Sequence, residues 1–320
     1  MERFALMLLN LGGPDNIQAV RPFLYNLFSD REIIPLGPPF MQKPLALLIS
    51  LFRTPKTKRA YTLIGGGSPI REITEAQANL VTETLSDKFD IEGFIGMRYW
   101  HPFIDETMRE ISQRGHNRVV GLSLYPQFSY ATTGSTERVF RNSAKELNLS
   151  ISCIRSWHDH PLYIQAITEL ISNTLEEMPP HTHLLFSAHS LPVTFIEEMG
   201  DPYRDQIEET VSLVIKALRE KGIHVQYHLS YQSRSGPVRW LSPSTDEMIH
   251  KLATEGVKEV LTVPISFVSD HIETLYEIDI LYKEMASQLG VTLRRIPSLN
   301  TYPTFIRALC SIVEEHLQRG

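Results

Sequence analysis

His189 follows the apolar run Leu184-Leu185-Phe186-Ser187-Ala188, so it stands where a buried strand reaches its carboxyl end. An imidazole there can act as a base or a metal ligand near neutral pH. A histidine satisfied within the core, or one capping a helix, would leave the same trace. The segment Ser269-Asp270-His271-Ile272-Glu273-Thr274-Leu275-Tyr276-Glu277 is richer. Wound as an α-helix, it sets Asp270, Glu273, Glu277 and Glu284 on one face by i, i+3/i+4 spacing, and Asp270 also suits the N-cap. Acids on one face repel each other. Either water solvates that face, or it is a carboxylate track that attracts and passes a divalent cation. Histidine and carboxylate without thiolate suit a borderline metal such as Fe2+ that is held only briefly.

Other motifs exclude chemistry. The loop Gly65-Gly66-Gly67-Ser68-Pro69 lacks the Lys-Ser/Thr of a phosphate-binding P-loop and follows no strand, while Leu11-Gly12-Gly13-Pro14 has the wrong spacing for a dinucleotide fingerprint. A nucleotide-sugar or NAD enzyme is therefore disfavoured, although fold alone would permit it. There is no G-x-S-x-G elbow, which argues against hydrolase chemistry. The stretch Pro35–Phe52, PLGPPFMQKPLALLISLF, reads either as a buried helix or as a flap with an exposed apolar face. Such a flap could line a pocket for a flat hydrophobic ligand, dip into a membrane surface, or both. Arg53, Lys56, Lys58 and Arg59 follow at once, and suit anionic headgroups or ligand carboxylates.

Elements with the right ends must position these groups. Phe4–Asn10, Ile91–Arg98, Val119–Leu124, Ser150–Arg155, His183–Ala188, His224–Leu229, Val257–Pro264 and Val291–Ile296 read as strands. Helical spacing runs through Glu72–Lys88, Phe103–Arg114, Tyr203–Glu220 and Ile272–Gln288. The alternation predicts an α/β protein with two similar four-stranded parallel sheets flanked by helices. Gly115, Val119, Val120, Leu122 and Leu124 match Gly256, Val260, Leu261, Val263 and Ile265 at a constant offset, which fits a duplication. The lobe boundary falls after Ser156, giving lobes of 1–156 and 157–320. Ligands of such sheets bind beyond the carboxyl ends of the strands. Asn10–Pro14, Arg98–His101, Ser187–Ser190 and Ser266–Glu273 all lie at such ends, and are expected to converge on one cleft.

The bulk properties are those of a soluble globular protein. The 320 residues suffice for two domains. Net charge is −6 with no basic stripe, which excludes a nucleic-acid binder. Two cysteines without a CxxC indicate neither a zinc knuckle nor a disulfide framework. The apolar run after Met1-Glu2-Arg3 ends at Asn10, so it reads as a first strand and not as a signal peptide.

The segments LLNLGGPD (8–15), RTPKTKRAYTLIGGGSPI (53–70), GMRYWHPF (96–103), YPQFSYATTGS (125–135), SAHSLP (187–192), GDPY (200–203), QSRSGPVRW with LSPSTDE (232–247) and PISFVSDHIETLYEID (264–279) together resemble the ferrochelatase family, in the family's order and over nearly the whole chain. The resemblance implies two Rossmann-like lobes with a porphyrin cleft between them, and an enzyme that inserts Fe2+ into a porphyrin, with release of two protons, in the last step of haem biosynthesis. It implies His189 and Glu273 as the catalytic metal-site pair, with His189 accepting pyrrole protons. Asp270, His271 and Glu277 match the acidic route for iron or protons. Arg53, Tyr61 and Ser68 match porphyrin-holding positions, and Arg98, Tyr99 and Trp240 match residues that position the macrocycle. Some relatives carry an iron–sulfur cluster on cysteines. This sequence has Ala131 at the first of those places and ends at Gly320 without a cysteine-bearing tail, so no cluster and no other permanently bound cofactor is expected. The pattern is nearer to users of protoporphyrin IX than of coproporphyrin, and to a cytoplasmic bacterial enzyme touching the membrane through residues 35–53. A coproporphyrin or other-metal chelatase, and a non-enzymatic porphyrin or haem carrier, are the competing readings.

Overall fold

The computed structural model describes residues 3–319. Met1, Glu2 and Gly320 lie outside the described residues. The chain forms two compact units, Met1–Ser156 with Leu309–Gly320, and Trp157–Ala308.

In the first unit the elements run β1 (Phe4–Asn10), α1 (Val20–Ser29), α2 (Gln42–Leu63), α3 (Ile70–Leu85), β2 (Ile91–Met97), α4 (Ile104–Gln113), β3 (Arg118–Ser123), α5 (Ser135–Leu147) and β4 (Ser150–Ile154). The sheet is parallel, in the order β2-β1-β3-β4. Every residue of β1 is buried, as expected of a central parallel strand covered on both faces. Met7, Leu9, Phe94, Ile104, Ile111 and Phe140 form the core on one side. A fully buried side chain of this kind contributes about 1.5–3 kcal/mol by leaving water.

The second unit repeats the plan with α6 (Pro161–Leu175), β5 (His183–His189), α7 (Val193–Glu197), α8 (Tyr203–Glu220), β6 (Tyr227–Gln232), α9 (Thr245–Thr254), β7 (Glu259–Pro264), a π-helix (Glu273–Tyr282) that runs on into α10 (Lys283–Gln288), and β8 (Thr292–Arg295). Its sheet is also parallel, β6-β5-β7-β8. The strands carrying the sequence repeat, β3 and β7, hold the same place in their two sheets, beside the central strand. The two four-stranded parallel sheets are those the alternating pattern predicts.

Three local readings are corrected. The strand expected at His224–Leu229 is Tyr227–Gln232, three residues later. The helix expected to be α-helical from Ile272 is π-helical over ten residues, with i→i+5 bonding. The last helix, α11 (Pro303–Arg319), gives Leu309–Gly320 to the first unit, although the sequence placed it with the second. There Glu314 pairs with Lys88 at 2.7 Å, and His316 Nε2 lies 2.9 Å from Ser152 Oγ. Helical periodicity shows that a face will pack, but not against which sheet.

Candidate active site

His189 is the last residue of β5, and its side chain is half-buried. Its backbone is fixed on both sides, since its N–H donates to Ser266 Oγ at 2.8 Å and its carbonyl accepts from Tyr203 OH at 2.9 Å. The imidazole Nδ1 lies 2.7 Å from Glu273 Oε2, at the first turn of the π-helix. A carboxylate on Nδ1 holds the proton there and leaves Nε2 as the lone-pair nitrogen. Burial would lower the His189 pKa. The charge and hydrogen bond of Glu273, with the charge of Glu277, outweigh it and raise the pKa above the ordinary imidazole value.

The two acids are held apart in protonation. Burial of much of its side chain opposes the charge on Glu273, yet His189, His271 and Ser233 hold it ionised, well below the usual carboxylate range. Burial and the charge of Glu273 push Glu277 up, to about 7. Ser233 bridges them, with its hydroxyl 3.1 Å from Glu273 Oε2 and 2.5 Å from Glu277 Oε2. One hydroxyl has one proton to give. When Glu277 is neutral, its O–H can donate to Ser233, and Ser233 to Glu273, so the three form a chain that passes a proton. Ser233 sits at φ 67°, in the left-handed region, which costs a non-glycine residue about 1–3 kcal/mol. Gln232, paired in register with His189, donates to the Glu273 carbonyl at 3.0 Å and to Glu277 Oε2 at 3.1 Å.

The face of four acids expected from α-helical spacing is not formed. Glu284 lies exposed on α10. Asp270 precedes the π-helix, and its carboxylate accepts from Thr274 Oγ1 at 3.0 Å, Ser298 Oγ at 2.7 Å and Asn300 Nδ2 at 2.9 Å, with Arg295 at 3.2 Å. Both of its oxygens are tied, so it anchors the segment that leads into the π-helix. His271 is buried and its Nδ1–H donates to the Ser269 carbonyl at 2.9 Å. Phe267 packs edge-on between the His189 and His271 rings.

The sequence matches the Ferrochelatase family over residues 3–317. The chain belongs to the ferrochelatase family. It is 48% identical to the ferrochelatase of a Picosynechococcus strain over 327 residues, spanning 100% of this chain and 84% of that one. It is likewise 48% identical to that of a Synechocystis strain, over 99% of this chain and 83% of the relative. Among solved structures, SirB from Bacillus subtilis with Fe3+ has a TM-score of 0.56 at 10% identity, covering 98% of this chain and 95% of its own. CbiX, the terminal enzyme of sirohaem biosynthesis in denitrifying bacteria, has a TM-score of 0.55 at 13% identity, covering 98% and 99%. Those two likenesses establish the chelatase fold. As a ferrochelatase, the chain is an enzyme of haem biosynthesis, a metal chelatase with iron and a porphyrin as substrates.

The other residues that the resemblance singled out lie in both units. In the first unit Ser68 is buried and its N–H donates to the Pro14 carbonyl at 2.7 Å, so the GGGSP loop is tied to the turn after β1. Tyr61 is buried in the last turn of α2, and Arg53, exposed on the same helix, has its guanidinium 5.3 Å from the Phe28 ring centre. Arg98 pairs with Asp30 at 2.5 Å, and the buried Tyr99 donates to the same Oδ2 at 2.7 Å. Both border a cavity of about 470 Å³ beside Asp30 and Arg138. In the second unit, Trp240 forms an isolated bridge with Pro192, beside the SAHSLP segment. Sequence reading missed Gln232, Ser233 and Arg295. Gln232 carries the same strand-end signal as His189, and was hidden because β6 was placed three residues early.

The apolar stretch is half as expected. Pro39–Met41 is a 3-10 turn leading into α2, and Gln42, Ala46 and Ser50 form the buried stripe of that helix. Its other face exposes Leu47, Leu48, Leu51 and, with 82% of its surface free, Phe52; Phe40 is 77% exposed. Among the described residues no helix is long and apolar enough to cross a membrane.

Proposed function

We propose that this ferrochelatase inserts Fe2+ into protoporphyrin IX, with His189 as the base for the pyrrole protons and Glu273 as its orienting and charge-balancing carboxylate. The observation that carries the reading is the His189–Glu273 contact at 2.7 Å, at the carboxyl end of a central strand. In the metal-free site Nδ1 is engaged by Glu273, so Nε2 is the atom that takes a proton. The imidazolium so formed is stabilised by the carboxylate. Fe2+ is gained and two N–H protons are lost, with no change in the oxidation state of iron. Glu273, Ser233 and Glu277 carry protons away or guide the cation in.

Arg53, Tyr61 and Ser68 hold the porphyrin, with Arg53 as the partner of a propionate, and Arg98, Tyr99 and Trp240 shape its surroundings. Arg98 and Tyr99 act through the rigid Asp30 network. The apolar stripe of α2, flanked by Lys43, Arg53, Lys56 and Arg59, is suited to the surface of an anionic membrane from which a hydrophobic porphyrin is drawn. The enzyme works in the cytoplasm, without a resident iron–sulfur cluster. Burial pushes the thiols of Cys153 and Cys310 up, to about 12 and about 11, so neither is a ready thiolate ligand.

The test is anaerobic iron insertion with protoporphyrin IX and coproporphyrin side by side, followed by loss of free-porphyrin fluorescence. Preference for protoporphyrin in kcat/KM supports the proposal. Preference for coproporphyrin, or tight binding without turnover, transfers the assignment to the coproporphyrin enzyme or to a carrier.

A further inference from the structure

We infer that Arg295 is a positioning residue for metal insertion: by clamping Asp270 and Asp279 it fixes the π-helix that presents Glu273 and Glu277. A π-helix of ten residues is an unfavourable local structure, since i→i+5 bonding is rare beyond a single turn. Something outside the helix has to hold it. Arg295, the last residue of β8, supplies the ties. Its Nε and Nη2 donate to the two oxygens of Asp279 at 2.9 and 2.7 Å. Nη2 also lies 3.2 Å from Asp270 Oδ1. Nη1 donates to the Ile296 carbonyl at 3.2 Å and to Ser298 Oγ at 2.8 Å. All the donors of the guanidinium fork are used.

The geometry of the clamp matters more than its strength. Asp270 lies before the π-helix and Asp279 near its end, so both metal-side carboxylates fall between the two fixed points in the chain. Asp270 is tied further to Thr274 within the first turn and to Asn300 behind it. The guanidinium is 9% exposed, and Asp270 19%. In such surroundings a bidentate ion pair is directional as well as strong. Arg295 also brings a positive charge to this network of acids. Lysine could supply the charge but not the fork. Partners that orient metal-side ligands without touching the metal typically change affinity or activity roughly 10- to 100-fold when replaced.

This inference rests on the reading of Glu273 and Glu277 as the metal side of the site. The test uses the full chain with Arg295→Lys, Asp279→Asn and Glu273→Gln, measured anaerobically with Fe2+ and with Zn2+. Arg295→Lys is expected to lower kcat/KM for metal about 10-fold or more, with a clear rise in the metal KM. Porphyrin affinity, read by fluorescence quenching, is expected to stay unchanged. Asp279→Asn is expected to follow at smaller size, and it decides the matter if Arg295→Lys does not fold. Unchanged metal kinetics in the folded variants, or a mere fall in active fraction at constant KM, would overturn the inference. If Glu273→Gln itself leaves metal insertion intact, the failure belongs to the site assignment. If that variant is impaired while Arg295→Lys and Asp279→Asn are not, only the clamp is lost.

Discussion

His189 Nδ1 and Glu273 Oε2 meet at 2.7 Å, joining the end of a central parallel strand to the first turn of a π-helix. The contact sets the tautomer of the base and couples its charge to Glu273 and, beyond it, Glu277. Removing one partner therefore changes the titration of the other, as well as the rate.

Replacement of Glu273 by Gln should move the acidic limb of the pH–rate profile. The free base is the active form, so kcat/KM rises as pH rises through the His189 pKa. Glu273 is the main group raising that pKa against the effect of burial. Without its charge the limb should shift to lower pH, while the plateau falls by roughly 10- to 100-fold as orientation is lost. An unshifted limb with a lower plateau would mean that His189 is not the titrating base.

Asp270 should be an acid-sensitive strut. It is largely shielded from water, but Arg295, Asn300, Ser298 and Thr274 outweigh that burial and lower its pKa. A depressed folded pKa gives stability that is present above the ordinary aspartate value near ~3.9 and lost as pH falls through the folded one. Asp270→Asn should cost about 2–4 kcal/mol at pH 7 and flatten the decline below pH ~4. Denaturant titrations at both pH values read this directly.

The GGGSP loop should tolerate no side chain at its third glycine. A Cβ on Gly67 would meet the Asp15 carbonyl oxygen at 2.3 Å. Backbone there cannot yield without breaking the Ser68 to Pro14 hydrogen bond. Gly67→Ala should cost about 1–3 kcal/mol and weaken porphyrin binding more than metal KM. Melting curves and fluorescence quenching separate the two effects.

The exposed stripe of α2 should bind membrane without serving the fold. Phe52 is 82% exposed and Leu48 50%. Changing both to Glu should therefore alter stability by less than about 0.5 kcal/mol each. Co-sedimentation with anionic vesicles should be lost. Retention of vesicle binding would place the membrane contact elsewhere.

Much of this was legible in the sequence because parallel strands buried on both faces appear as unbroken apolar runs. Phe4–Asn10 and the run before His189 are of that kind, and the polar residue closing each run marks a strand end. Less was legible where tertiary contacts overrule local spacing. Nothing in HIETLYEIDILY announces i→i+5 bonding, because the winding is held by Arg295 from another strand. The same blindness made Asp270 look like a free carboxylate, when Ser298 and Asn300, some thirty residues on, occupy it. Ser233 was passed over because a serine in a polar loop has no periodicity, and its left-handed backbone is visible only in the fold.

The most direct test of the central claim is a single-turnover experiment with His189→Ala. Porphyrin is bound first, Fe2+ is added without oxygen, and metallation is followed by the loss of free-porphyrin fluorescence. The account predicts that the variant binds porphyrin as the wild type does and fails to metallate it, with the rate reduced by at least about 100-fold, within the range for loss of a general base. Metallation at the wild-type rate would show that the pyrrole protons leave by another group, and would contradict the assignment of His189 as the base.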